Sequence, residues 1–173
     1  GDLTLFQIDE INTDDLSYPN TALLGLQLLA TDQLNGGTPN ITAVIKGKKV
    51  LVPDIRNSGV QVSWEDYYWD GSNYRLLSDD TLLEWDGITY IQKYSANPVW
   101  CLRDLIISNR YGLGEFILTT HLDNASLLEM SQYCEEKVAD GKGGFEKRFR
   151  LDVVVDSNNK ALDILIQLSA VFN

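Results

Sequence analysis

The sequence is poor in the residues on which most metal and thiol chemistry depends. Its 173 residues include one histidine, His121, and two cysteines, Cys101 and Cys134. A structural zinc site needs four Cys or His ligands at close spacing, and two cysteines do not make a disulfide framework. Both cysteines fall in stretches with helical periodicity. We therefore expect buried free thiols, no metal and no cofactor, in a chain made and folded in a reducing cytoplasm.

Catalytic signatures are also scarce. A Ser-His-Asp or Cys-His arrangement would have to include His121, which follows two threonines in a predicted loop, where surface histidines are common. The glycine runs at 112–114 and 141–144 lack the Lys-Ser/Thr pair of a P-loop and the third spaced glycine of the dinucleotide fingerprint. Adjacent acids such as Glu135-Glu136 point different ways on a helix, so they do not make an acid–base pair by themselves. The sequence therefore predicts no catalytic residues.

The sequence also has few positively charged residues. The chain has 14 Lys and Arg against 25 Asp and Glu, for a net charge of −11. Nucleic-acid binding draws its affinity from clustered cations, so this balance argues against it. The densest basic stretch, residues 147–150, is typical of a solvated strand end. No apolar run reaches the roughly 18 residues of a membrane span, and no signal peptide opens the sequence.

The chain is otherwise of ordinary globular composition, 44% hydrophobic and 23% charged, and its first part reads mainly as strands. Loose alternation predicts a strand at Leu3–Ile8, and the apolar run Thr21–Ala30 predicts a buried strand, although it also fits a short helix. A hairpin is predicted from Ile41–Ile45 and Lys49–Val52, turning at Gly47, which can take a positive φ, and ending at Pro53. The aromatic segment 57–94 predicts short strands with an exposed loop.

The last third carries helical signals. Asn97-Pro98 predicts a helix start, with asparagine as the N-cap and proline at the first position, and Gly112 lies past its end. A second helix is expected from Asp123 or Asn124 to Asp140, followed by a strand at Phe149–Val155. Lys160 to Phe172 predicts an amphipathic helix. We expect burial of the following residues: Trp100, Leu105, Leu128 or Met130, Val153 and Leu165.

These elements predict an α+β fold. An antiparallel β-rich part would cover residues 1–96, and a part with three helices and one interposed strand would cover residues 97–173. The sequence begins almost inside a strand and stops within an apolar helix, so we expect a fragment of a larger protein.

Several stretches resemble the lambda-type tail tip protein J family, the host-specificity proteins of long-tailed phages and prophages. Residues 18–26 and 46–53 are followed by Asn-Pro-Val-Trp-Cys-Leu-Arg-Asp-Leu at 97–105 and Asn-Arg-Tyr-Gly-Leu-Gly at 109–114. Tyr-Cys at 133–134, Gly-Lys-Gly-Gly at 141–144, Arg148-Phe149 and the closing helix complete the set. The residues that carry the resemblance are Tyr18, Pro19, Asn20, Gly47, Pro53, Asn97, Pro98, Trp100, Asp104, Leu105, Arg110, Tyr111, Gly112, Gly114, Gly143 and Phe149.

The resemblance implies a structural role. Proteins of this family form a trimeric hub that closes the tail tube, and the segment matched here is internal, upstream of the receptor-binding region. It implies partners in other copies of the chain and in neighbouring tail tip and tube proteins, a place at the virion tail tip, and no enzymatic activity. Two alternatives stay open: a carbohydrate- or receptor-binding module that uses exposed aromatics of segment 57–94, and a cell-wall hydrolase.

Overall fold

A computed structural model of the protein describes residues 40–42, 47–154 and 161–172. The chain divides into two compact units, residues 1–46 and residues 47–173, and the architecture below is that of the second unit. The strands predicted at Leu3–Ile8 and Thr21–Ala30 lie outside the described residues, as do the motif residues Tyr18, Pro19 and Asn20.

The β-structure of the described residues consists of short strands in two-stranded antiparallel ladders. Their bounds are β1 Val50–Pro53, β2 Arg56–Asn57, β3 Val60–Gln61, β4 Tyr67–Trp69, β5 Tyr74–Leu76, β6 Tyr90–Lys93, β7 Lys137–Ala139 and β8 Phe145–Lys147. β1 pairs with β6, β2 with β3, β4 with β5, and β7 with β8. The short strands predicted for the aromatic segment are therefore confirmed, and so is the α+β class.

The second arm of the predicted hairpin is a strand, but its described partner is distant in sequence. Val50 of β1 lies opposite Lys93 of β6, and Pro53 lies opposite Tyr90. Of the first arm, Ile41 and Thr42 are not in a strand, and residues 43–46 lie outside the described part. Pro53 is the last residue of β1, which in the described part of the chain belongs to a two-stranded ladder and so is an edge strand, where proline is tolerated.

The helices begin where the local signals place them. α1 spans Pro98–Ile107, with Asn97 as its N-cap. α2 spans Asn124–Glu135 with Asp123 as its N-cap, and the Asp123 carboxylate accepts from the backbone N–H groups of Ala125 and Ser126. α3 spans Ala161–Ser169 and continues as a 3-10 turn over Ala170–Phe172.

Two boundaries predicted for the last third are wrong. α2 ends at Glu135 and not at Asp140, because Lys137–Ala139 turns back to pair with Phe145–Lys147 through a glycine turn. The strand predicted from Phe149 does not form up to Val154: Phe149 N–H donates to the Cys134 carbonyl and Leu151 N–H to the Ala96 carbonyl, so these donors join no ladder. The interposed β-structure is therefore a hairpin earlier in the chain.

Three hydrophobic clusters hold the unit together. The first joins Val50 and Val52 of β1 to residues of α1 and α2, and the second surrounds Trp64 and Tyr67 in the aromatic segment. The third packs Leu105 of α1 against Ile164 and Leu168 of α3. Of the predicted buried residues, Trp100 and Leu105 are buried. Leu128 and Leu165 are half-buried against these clusters, and Met130 and Val153 are exposed.

Candidate functional site

The motif residues gather on α1 and the loop that follows it. Asn97 Oδ1 accepts a hydrogen bond from Val99 N–H at 3.0 Å. Pro98 occupies the first helical position, where an N–H would have no partner within the helix. Trp100 is only 1% exposed and packs in the first cluster. The predicted cap is confirmed, and the residues that form it are neighbours in the sequence.

Asn97 also has a second, long-range role. Its Nδ2 donates to the carbonyl of Ser131 at 2.9 Å and to Oε1 of Glu135 at 2.8 Å. Asn97 and Ser131 are 0% exposed and Glu135 is 1% exposed. One side chain therefore caps α1 and fastens its N-terminus to the last turn of α2. Loss of the Asn97 amide would leave the buried Ser131 carbonyl and Glu135 carboxyl without this donor, which costs about 1–3 kcal/mol for each group left unpaired.

Glu135 is a buried acid with few partners. Among the described residues its Oε2 has no hydrogen-bond partner, and neither does the buried Nε1 of Trp64. Burial raises the pKa of Glu135, because the charged form loses its water. Lys147, the Asn97 amide, and the nearby Trp64 and Tyr67 side chains oppose that shift in part.

Lys147 brings the nearest cation to this acid. It extends from β8, donates through Nζ to the Trp64 carbonyl, and lies 3.8 Å from the centroid of the Trp64 ring and 4.1 Å from that of Tyr67. Burial lowers the pKa of Lys147 to about 8, against a smaller opposing effect of Glu135. The Lys147 amine and the Glu135 carboxylate make no direct ion pair in the described part of the chain, so the two charges act on each other at a distance.

A second polar cluster lies at the far end of α1. Lys48 Nζ donates to Oδ2 of Asp104 at 2.8 Å, and the hydroxyl of Tyr111 donates to the same oxygen. The Lys48 ammonium also lies 4.0 Å from the centroid of the Tyr111 ring. Asp104 therefore joins the start of the second unit to the loop that follows α1.

The two motif glycines of that loop approach the helix too closely for a side chain. A Cβ on Gly112 would lie 1.7 Å from the Leu105 carbonyl oxygen, and one on Gly114 would lie 2.3 Å from the Ile107 oxygen. The N–H groups of Gly112 and Gly114 both donate to the Ser108 carbonyl at 3.1 Å. The loop therefore packs closely against the C-terminal end of α1.

The other motif residues are dispersed. Gly143 sits in the β7–β8 turn with a φ of +91°, which only glycine adopts readily. Gly47 lies beside the Tyr94 ring, and Phe149 packs against the first cluster with its ring 6.0 Å from that of Tyr133. Arg110 is exposed, and its N–H donates to Ser108 Oγ at 3.4 Å.

The aromatic segment forms a packed chain of rings. Edge-to-face contacts run from Trp69 to Tyr74 at 4.8 Å, from Tyr74 to Trp85 at 6.0 Å, from Trp85 to Tyr90 at 6.1 Å and from Tyr90 to Trp100 at 5.7 Å. Such pairs contribute about 0.5–1.5 kcal/mol each beyond area burial. Most of these side chains therefore serve the core and connect the segment to α1.

Sequence reasoning missed the contributions of Ser131, Glu135 and Lys147. A signal for two of them is present, because Leu127, Ser131 and Glu135 recur every four residues and so share one helix face. A buried leucine on that face makes the acid at the last position a candidate for burial. No local pattern marks Lys147, whose side-chain hydrogen bond and ring contacts are to Trp64 and Tyr67, far away in the sequence.

This geometry defines an α+β unit in which the motif residues fix α1 against α2, the post-helix loop and the aromatic strands. The chain is 33% identical over 172 residues, 99% of its length, to a Tip attachment protein J of Escherichia phage SECphi4, and 40% identical over 155 residues, 90% of its length, to one of Escherichia phage SECphi27. It belongs to the phage tail tip protein J family. The chain spans 13% and 11% of the lengths of these two relatives. No protein-family model matches the sequence.

Proposed function

We propose that this chain is a structural segment of the tail tip hub of a long-tailed phage or prophage. In this proposal the intact protein contributes to tail assembly and tube closure, and serves host attachment and genome delivery. The observation that carries it is the match along 99% of the chain to a protein named Tip attachment protein J. Its partners would be further copies of the chain in a homotrimer and the neighbouring tail tip and tube proteins, with synthesis in the host cytoplasm.

The contacts of the motif residues support a structural role. Asn97 caps and fastens a helix, Trp100 fills a core, and Gly112 lets a loop touch its own helix. Each of these roles positions backbone and none presents a reactive group to solvent. A hub segment that must keep its shape under load would need such fixed junctions.

We propose in addition that the segment is not an enzyme. Burial raises the pKa of the Cys134 thiol to about 12 and that of Cys101 to about 11, which keeps both thiols protonated and weakly nucleophilic. His121 is exposed in a 3-10 turn, where its Nδ1 accepts from the Leu118 N–H at 3.2 Å. Across residues 47–154 and 161–172, no three His, Cys, Asp or Glu side chains are placed to hold a metal ion, and no helix is long and apolar enough to cross a membrane.

The carbohydrate-binding alternative has less support. It depends on exposed tryptophans and tyrosines, whereas Trp64, Tyr67 and Tyr74 are at most 4% exposed. Trp69 and Trp85 are half-buried, and both contact Tyr74 edge-to-face. Since no observation favours an aromatic platform on the surface, the hub role is the function we propose.

Immunogold electron microscopy of purified phage tails tests the proposal. Antibody raised against the 173-residue chain is applied to intact and partly disrupted tails, with pre-immune serum as the control. We expect gold at the distal tip, stronger after disruption. Gold along the tube, or no gold on either preparation with the protein free in the lysate, would overturn the hub role and direct attention to glycan and cell-wall assays.

A further inference from the structure

We propose that Glu135 and Lys147 form a proton-responsive lock, in which one buried acid takes up a proton as the β7–β8 hairpin and the aromatic strands close onto the α1–α2 pair. This is a conformational device of the fold and does not depend on the hub role. Its basis is the position of Glu135, where four parts of the unit meet. The acid belongs to the last turn of α2, contacts the N-cap of α1, and faces β4 and β8.

The polar environment of Glu135 is too sparse for a fully charged carboxylate. Asn97 Nδ2 donates to Oε1 at 2.8 Å, and among the described residues Oε2 has no hydrogen-bond partner, although the Trp64 and Tyr67 side chains lie close enough to favour the carboxylate in part. A buried charge without paired donors is costly, whereas a neutral acid on the same site leaves no charge and turns one oxygen into a donor. The geometry therefore favours the acid form when the unit is closed.

Charged and titratable groups surround this acid from every packed element. They are Lys147 on β8, Tyr67 on β4, Tyr74 on β5 and Cys134 on α2 itself. Glu65 and Asp66, on the 3-10 turn Trp64–Asp66, act on Lys147. Lys147 is the cation of this set and favours the carboxylate, while burial favours the protonated acid. The neutral amide of Asn97 is the contact from α1.

The sign of the effect follows from the direction of the pKa shifts. The pKa of Glu135 is raised on folding, so its contribution to stability is complete below the ordinary glutamate pKa and is lost as pH rises through the folded-state value. Lys147 acts in the opposite sense at higher pH. Its pKa falls from 10.5 to about 8 on folding, so the cost of burying its charge is present below about pH 8 and is relieved between those two values.

Loss of the proton would loosen one side of the unit first. The β7–β8 hairpin carries Lys147 and reaches the aromatic strands through the Trp64 carbonyl. A charged Glu135 regains water only if this hairpin or the Trp64 turn moves outward. A rise in pH therefore favours the opening of residues 137–147. Helix α1 remains packed against β1 through the first cluster.

Urea unfolding of the 173-residue chain as a function of pH tests the lock. Wild type, Glu135→Gln and Lys147→Met are compared, with Glu136→Gln as the matched control because Glu136 is the next residue and pairs with the half-exposed Arg148. We expect the unfolding constant of wild type to rise relative to Glu135→Gln by up to about tenfold per pH unit inside the Glu135 window. Lys147→Met should move that window to higher pH, and Glu136→Gln should show no such trend.

Two direct measurements accompany the titration. Amide hydrogen exchange should show residues 137–147 opening more often above the window in wild type than in Glu135→Gln. The NMR shift of the Glu135 Cδ in the wild-type chain reports its protonation without any variant, and it decides the matter if Glu135→Gln fails to fold. A ratio of unfolding constants that is flat with pH, or a Glu135 Cδ that titrates like an exposed glutamate, would overturn the proposal.

Discussion

Adding one methyl group at Gly112 is the most direct test of how the post-helix loop is held. In Gly112→Ala the new Cβ would lie 1.7 Å from the Leu105 carbonyl oxygen, 2.8 Å from its carbon and 3.0 Å from the Ser108 oxygen. These contacts are all with backbone atoms, so the rotation of a neighbouring side chain cannot relieve them. The loop must move by more than an ångström to relieve the contact, given that real Cβ atoms essentially never approach within 3.0 Å.

The cost of that movement follows from the bonds that it breaks. Leu113 N–H donates to the same Leu105 oxygen at 3.3 Å, and the N–H groups of Gly112 and Gly114 donate to Ser108. Each such bond contributes about 1 kcal/mol net, and overpacking adds about 1–3 kcal/mol. The φ of Gly112 is not left-handed, so alanine would otherwise gain about 0.4–1 kcal/mol from a stiffer unfolded chain. We expect a net loss of about 3–5 kcal/mol in the free energy of unfolding.

Urea unfolding of the 173-residue chain, followed by circular dichroism, measures this loss against a matched glycine. A Cβ on Gly47 meets nothing nearer than Tyr94 Cε2 at 3.6 Å, so Gly47→Ala should lose less than about 1 kcal/mol. Both variants add one methyl group, so the comparison varies only the free space around the new Cβ atom. The steric reasoning fails if Gly112→Ala stays within about 1 kcal/mol of wild type or matches Gly47→Ala.

Three further outcomes follow from the site. Asn97→Ala should lose about 3 kcal/mol in the free energy of unfolding, because a cap contributes about 1 kcal/mol and each of the two hydrogen bonds to α2 about 0.5–1.5 kcal/mol. Asn97→Asp keeps the cap oxygen but sets a second acid against Glu135, so acidification should raise its urea midpoint by more than that of Asn97→Ala; equal gains would refute this reasoning. Trp100→Ala should lose about 3–5 kcal/mol by thermal or urea unfolding, since the ring is 1% exposed, and retention of wild-type stability would refute its place in the core. Iodoacetamide should modify Cys134 at least about a hundredfold more slowly in the native chain than in urea, because its raised pKa and burial leave little accessible thiolate; equal rates would mean that the thiol is open.

Local chemistry made the helix starts predictable. Asn97 and Pro98 each satisfy a requirement of the first helical turn without help from distant residues, and Asp123 does the same for α2. The sequence also placed Gly112 just past the end of α1, which is confirmed. The backbone oxygens that exclude a side chain there belong to the same helix, so the whole arrangement lies within 10 residues of sequence.

Long-range contacts account for what the sequence did not reveal. Val138 continues the helical periodicity of α2, but pairing with the strand Phe145–Lys147 draws it into β7. Residues 149–154 have a strand-like pattern, yet Phe149 N–H donates to a carbonyl in the last turn of α2, Leu151 N–H donates to the Ala96 carbonyl, and Val153 stays exposed. The burial of Glu135 depends on Trp64 and Lys147, which no helical pattern brings into view.

Both ends of the short helix α1 make hydrogen bonds that restrict its motion. Its ten residues span about 15 Å. Asn97 bonds the N-terminal end to α2, and N–H groups of residues 112–114 donate to carbonyls at the C-terminal end. Because these bonds join the loop to α1 and α1 to α2, we expect the Tyr111 loop, α1 and the last turn of α2 to move together as one body. We expect such a body to be displaced without changing shape, whereas a flexible linker of the same length would bend.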